Sequence, residues 1–179
     1  MQSLFSFLTR GRGVARQGAW IYNSVVEQAR RPEFYNSLDI PDTIDGRFDL
    51  IVLHAGLYLP RLKAVKGEGK KLAQAMFDHM FANLEFNLRE LGLGDMSVPR
   101  QMKGMVSAFY GRVTAYEDAL KAGDAGALRA ALHRNIHRNG TVDPAKVDAL
   151  ASYVRAASES LKAADDAVIS AGAFEWPAP

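Results

Sequence analysis

The sequence contains no cysteine. That excludes disulfides, thiolate zinc sites, iron–sulfur clusters and a cysteine nucleophile, and it fits a reducing compartment. Long hydrophobic runs are also missing. A membrane-spanning helix needs about 20 consecutive apolar residues. The longest run here, residues 50–59, is half that and is broken by His54 and Gly56. An excess of one charge is absent as well: the formal net charge is +2 over 179 residues, which offers no global case for nucleic-acid binding. No stretch alternates with the period of two that marks a strand, and no internal repeat is visible.

What is present is ordinary in amount and uneven in placement. Hydrophobic residues make up 48% and charged residues 23% of the chain, enough to bury one core and too apolar for wholesale disorder. Residues 1–31 hold Arg10, Arg12, Arg16, Arg30 and Arg31 against Glu27 alone, a net +4, so the remainder is −2. Leu4, Phe5, Phe7 and Leu8 precede the first arginines. The cluster is too short for a secretory signal; it reads either as a surface or docking tag or as the start of the first helix.

Helical periodicity dominates the rest. Residues 15–30 carry Ile21, Val25 and Ala29 on one stripe, and Pro32 stops it. Residues 32–45 read as a loop ending in a helix cap, with Asp42, Thr43 and Asp45 as the capping candidates. Residues 45–62 are apolar nearly all round, the pattern of a central core helix, and Pro60 is expected to kink or end it. Residues 70–91 place Phe77, Phe81, Leu84, Leu88 and Leu91 in one seam, widened by Leu72, Met76 and Met80. Gly92 and Gly94 supply a stop, and Ser97 with Pro99 is expected to start the next helix. That helix bears Met102, Met105, Val106, Phe109, Val113, Tyr116 and Leu120 on one face. A short helix over 125–136 follows, then an Asn139-Gly140 turn, and Asp143-Pro144 opens a last long helix. The expected fold is all-α, one domain of about six helices joined by short turns. Residues 1–14 form a basic and apolar leader, 15–170 the helical domain, and 171–179 a loose tail.

Three polar sets interrupt these apolar faces: residues 42–49 leading into Leu53-His54; Asp78-His79 with Asn87, Arg89, Glu90 and Asp95; and residues 109–112, echoed by Arg134-Asn135. His133 and His137 stand four apart and share a helix face, but no carboxylate is spaced to complete a metal site with them. No Glu-x-x-His pair calls for a di-iron centre. No serine, lysine or histidine stands at motif spacing from Asp78, Glu85 or Glu90 to make a nucleophile and base. The expected role of Asp78 and Glu90 is pairing with Arg47, Arg89 or Arg112 in a partly buried network, since the planar guanidinium accommodates two hydrogen bonds to one carboxylate. Gly92-x-Gly94 follows a helix rather than a strand, so it lacks the context of a nucleotide loop. No cofactor is implied.

Taken in order, these sets resemble the ubiquinol–cytochrome c chaperone family. The matching residues are 26–30, Phe34-Tyr35, 41–49 with Leu53-His54, Arg61-Leu62, 77–81, 87–95, Val98, Met102-Lys103, 108–112, Ala115-Tyr116 and, more faintly, Arg134-Asn135. They span about residues 20–136. The resemblance implies a non-enzymatic assembly factor for ubiquinol–cytochrome c reductase. Mitochondrial members look after newly made cytochrome b, with a small partner protein and near the ribosomal exit. Those members carry an additional N-terminal region. This sequence shows neither that region nor a usual transit peptide, and so resembles a bacterial relative, expected in the cytoplasm or at the inner face of the plasma membrane.

Under this reading the partner is cytochrome b or another subunit of the reductase, with no direct nucleic-acid contact and the ribosome undecided. Phe48, Phe77, Phe81, Met102, Met105 and Phe109 are the expected border of an apolar client groove. Arg47, Asp49, His54, Asp78, Asn87, Arg89, Glu90, Asp95 and Arg112 are its expected polar network. Arg10, Arg12 and Arg16 are candidates for contact with an anionic membrane surface. The competing reading is a small helical enzyme or ligand-binding domain using Arg47, Asp78, Arg89, Glu90 and Arg112 as one cluster.

Overall fold

Helix α3 (Ile44–Ala64) is the axle of the molecule. Thirteen of its residues are buried, including the whole run from Asp49 to Leu59, because its sequence is apolar on every side. Thr43 caps it, its hydroxyl oxygen accepting the Gly46 N–H at 3.1 Å. Pro60 neither ends nor caps the helix, which continues one turn beyond it to Ala64. The proline costs α3 one backbone donor, that of the bond to Gly56, and neighbouring helices hold the segment in place.

The computed structural model describes the backbone of residues 2–138 and 140–179 and the side chains of 13–138 and 140–179. Around α3 lie α1 (Gln2–Ala29), α4 (Gly69–Glu90), α5 (Val98–Ala122) and α7 (Pro144–Ala163), with α6 (Ala125–Asn135) bridging α5 to α7. Two short helices complete the set, α2 (Pro32–Asn36) and α8 (Asp166–Ala171). Among the described residues there is no strand. The fold is all-α and single-domain, six longer helices plus these two turns of helix.

α1 packs most closely on α4. A Cβ built on Gly18 would lie 2.6 Å from the Ala75 backbone, so only glycine permits this approach. The helix runs unbroken from Gln2, and the expected leader over 1–14 is therefore not a separate element. At the other joints, Asp124 caps α6 through Ala127 N–H at 2.9 Å and Asp143 caps α7 through Ala145 N–H at 2.9 Å. Gly123 closes α5 in the left-handed region at φ 64°. Ser97 does not cap α5: its hydroxyl donates to Gly94 O at 2.8 Å and so secures the preceding turn.

The C-terminal segment differs from the expected loose tail. Phe174 is buried, and Trp176 packs edge-on against His54 at 5.0 Å between ring centroids. Arg61 holds the approach to this segment, donating to Leu161 O, Ala164 O and Asp166 at 2.6–3.0 Å. Tyr58 adds a hydroxyl bond to Ile169 O at 2.7 Å. Proline-ended composition suggests looseness, but the two aromatic side chains gain more by covering the open flank of α3 than the chain loses in entropy.

Candidate functional site

The predicted polar residues do not form one site. Two of them, Asp49 and His54, are fully buried on α3. His54 Nδ1 lies 2.7 Å from Leu50 O. A carbonyl only accepts, so Nδ1 carries the proton and Nε2 accepts the Tyr153 hydroxyl at 2.8 Å. The Tyr153 oxygen in turn accepts from the Gln28 amide at 2.9 Å. This chain ties α1, α3 and α7 together with every ring nitrogen satisfied, and Phe34 and Trp176 close over it edge-on. Burial drives the His54 pKa down to about 4, only partly offset by the bond to Leu50. The ring is a neutral structural link.

Asp49 sits between two arginines. Arg112 of α5 approaches Oδ1 at 2.9 Å as an ion pair. Arg138, in the turn after α6, donates to Oδ2 through Nε at 3.0 Å and reaches Asp45 at 3.1 Å. Arg138 holds a left-handed backbone conformation, φ 54°, to do so. Burial raises the Asp49 pKa to about 6, with Arg112 and Arg138 pulling the other way. At neutral pH it remains an ionised carboxylate that pins α5 and the α6–α7 turn to α3. Arg112 also spans the Phe48 ring, its guanidinium carbon 5.5 Å from the centroid.

The remaining polar residues are exposed and locally occupied. Arg47 forks onto Asp42 at 2.7 and 3.2 Å. Asp78 accepts from Gln74 at 2.7 Å, and Asn87 donates to Asn83 at 3.3 Å. Arg89 pairs with Glu85 at 2.9 Å and with Asp95 across the α4–α5 turn. Glu90 is exposed at the end of α4 and makes no ion pair among the described residues. Thus the expected pairing of Asp78 and Glu90 with Arg47, Arg89 or Arg112 is not formed. Arg47, Asp78 and Arg89 find partners within four to six residues, where holding the pair costs least entropy, and Arg112 is taken by Asp49. The same fact removes the five-residue cluster invoked for an enzyme or ligand-binding domain.

His133 and His137 also serve the scaffold. Their rings lie 6.3 Å apart, and each Nε2 donates to a backbone carbonyl, Gly140 O at 3.1 Å and Leu38 O at 3.0 Å. Among the described residues no group of three or more histidines and carboxylates is arranged to hold a metal, and no helix is long and apolar enough to cross a membrane.

Three of the residues expected to border a client groove, Phe77, Phe81 and Phe109, meet where α4 packs on α5. Phe77, Phe81, Phe109 and Tyr110 form an aromatic cluster with centroids 4.6–5.9 Å apart. Phe81 and Phe109 are buried and brace the cluster from below, a correction to their expected place on the border. Phe48, Phe77, Met102 and Met105 are half-buried against the core. Tyr110 on α5, 54% exposed, forms the open edge of this cluster. Leu91 at the end of α4 and Met96 in the turn are exposed as well, whereas the exposed Phe86 shares the α1-facing side of α4 with His79 and Asn83. Of the candidates for membrane contact, Arg10 and Arg12 lie outside the described side chains. Arg16 is exposed, with the exposed Trp20 one turn further along α1.

Sequence reasoning missed Arg138, Tyr153, Gln28 and Trp176. Tyr153 is three residues from Leu150 on the buried stripe of α7, a position where a phenol needs a partner; that was the available signal. A prediction follows from His54. Its folded pKa lies below the ordinary 6.5, so the unfolded chain takes up the proton first. The stability is complete above pH 6.5 and is lost as the pH falls towards 4, on the order of 3 kcal/mol in all. His54→Gln, followed by urea denaturation at pH 7.5 and 4.5, is expected to be destabilised by about 2–3 kcal/mol at the higher pH. At the lower pH the gap to the unsubstituted protein narrows.

With this geometry in place, the chain was compared with known proteins. The family model for the ubiquinol-cytochrome C chaperone matches residues 36–176. Ubiquinol-cytochrome-c reductase complex assembly factor 1 of Xenopus laevis is 27% identical over 157 residues, covering 87% of this chain and 78% of the frog protein. The Mus musculus protein of the same name is 29% identical over 135 residues, and there the match spans only 45% of the relative. The crystal structure of the Cbp3 homolog from Brucella abortus superposes with a TM-score of 0.83 at 35% identity, covering 99% of this chain and 96% of that one. This chain therefore belongs to the ubiquinol-cytochrome C chaperone family, a family of assembly chaperones rather than enzymes.

Proposed function

We propose that this protein is an assembly chaperone for ubiquinol–cytochrome c reductase that holds newly made cytochrome b, or an early intermediate containing it, on the α4–α5 face. Family membership supports the assembly role. The observation that carries the choice of face is the distribution of exposed apolar side chains. Among the described residues seven large hydrophobic side chains are exposed, and three of them, Leu91, Met96 and Tyr110, lie at the end of α4, in the turn after it and on α5, with Tyr110 packed against Phe77. A client rich in membrane-spanning segments needs an apolar surface that shields it from water. Half-buried methionines suit that task because the unbranched thioether adapts to varied partners. The ion pairs at the rim, Arg89 with Glu85 and Asp95, keep the patch bounded by charge.

Residence near anionic lipid is a second element of this reading. It is supported by the +4 charge of residues 1–31 and by Arg16 and Trp20 on neighbouring turns of α1, each cation contributing about 1 kcal/mol close to such a surface.

Deleting the gene in its native host is expected to lower assembled ubiquinol–cytochrome c reductase and haem-loaded cytochrome b together. Unchanged levels of both reject the assembly role. Arg16→Ala is expected to weaken co-sedimentation with vesicles of anionic lipid about fivefold at low salt, and an unaltered bound fraction rejects the membrane element.

A further inference from the structure

The sulfur in this protein is all thioether, since there are six methionines and no cysteine. The described methionines fall into three environments. Met76 and Met80 are fully buried in the α4 seam. Met102 and Met105 are half-buried on α5. Met96, in the turn between α4 and α5, is 96% exposed. That turn is closed by backbone bonds, Leu93 N–H to Leu88 O at 3.2 Å and Ser97 N–H to Gly94 O at 2.8 Å. The Arg89–Asp95 pair ties it to α4. The turn thus presents the Met96 sulfur to solvent, five residues beyond the exposed Leu91 that ends α4.

We propose that Met96 is a reversible oxidation site, the position at which peroxide makes the apolar turn between α4 and α5 polar. The sulfur lone pair attacks one peroxide oxygen; an S–O bond forms and the O–O bond breaks. Sulfur gives up two electrons, and the departing oxygen takes a proton and leaves as water. The product sulfoxide is polar and chiral and is returned to the thioether by methionine sulfoxide reductases. Since the side chain supports no part of the core, oxidation changes the surface and leaves the fold standing. The effect on a client rests on the function proposed above; the chemistry at Met96 does not.

Trypsin separates the environments. Cleavage at Arg89 and Arg100 isolates Met96 in peptide 90–100. Met76 and Met80 share 72–89, and Met105 lies in 104–112. The full chain is exposed to graded hydrogen peroxide and mapped by mass spectrometry, with anilinonaphthalene sulfonate fluorescence as the probe of exposed apolar surface. Peptide 90–100 is expected to gain one oxygen about tenfold faster than 72–89, while dye fluorescence falls about twofold and far-ultraviolet circular dichroism stays constant. Methionine sulfoxide reductase restores the dye signal. Met96→Leu keeps the dye signal through the same peroxide treatment, and Met96→Gln lowers it without peroxide. Oxidation of 72–89 ahead of 90–100, or an equal loss of dye signal in Met96→Leu, overturns the proposal. Normal reductase levels in the deletion strain refute the client reading instead and leave the order of peptide oxidation untouched.

Discussion

Burial of α3 on every side is the constraint from which the rest of this structure follows. A helix apolar all round has to be wrapped, and α1, α4, α5, α7 and α8 each supply part of the wrapping. Two polar side chains travel into the interior with it. An unpartnered polar group there costs more than a made bond returns, so each dictates what is brought beside it. His54 requires Tyr153 and, behind it, Gln28; Asp49 requires Arg112 and Arg138. Of the polar residues with the look of catalytic chemistry, the buried ones are thereby used up in closing the bundle. The outer face of α4 and α5 keeps apolar residues that the wrapping does not consume, and it is the face proposed above for the client.

The helices and their order were legible because they rest on local rules. Periodic seams, glycine stops and Asp or Thr caps placed the long helices to within a residue or two, apart from the start of α1 and the end of α7. Short helices were not legible: α2 and α8 have five and six residues, too few to show a period, and they persist through contacts such as Arg61 to Asp166. Pro60 reads locally as a kink or a stop, and burial on both sides of it carries the helix on to Ala64. The polar network was misread for a related reason. Exposed Arg47 and Arg89 are satisfied by near neighbours, whereas Asp49 is satisfied by Arg138, 89 residues later. Nothing at either position announces that pairing; it exists only once the turn after α6 has docked on α3.

Helical spacing grouped the apolar residues of α4 and α5 but could not divide them by depth. Phe77, Phe81 and Phe109 share one cluster, yet only Phe77 reaches the surface in part. Tyr110, read only as part of the set 109–112, stands at its open edge. A rigid interior bearing a methionine- and aromatic-rich margin is what a protein needs to hold an apolar partner without being reshaped by it.

The central claim is that the α4–α5 face, and not the buried polar groups, meets the client. The direct measurement is site-specific photo-crosslinking in the native host, with benzoylphenylalanine at Tyr110 on α5 and, as the reference position, at the exposed Ser152 on α7. The account predicts an adduct with newly synthesised cytochrome b from position 110 and none from position 152. An adduct from position 152 with none from 110 contradicts it.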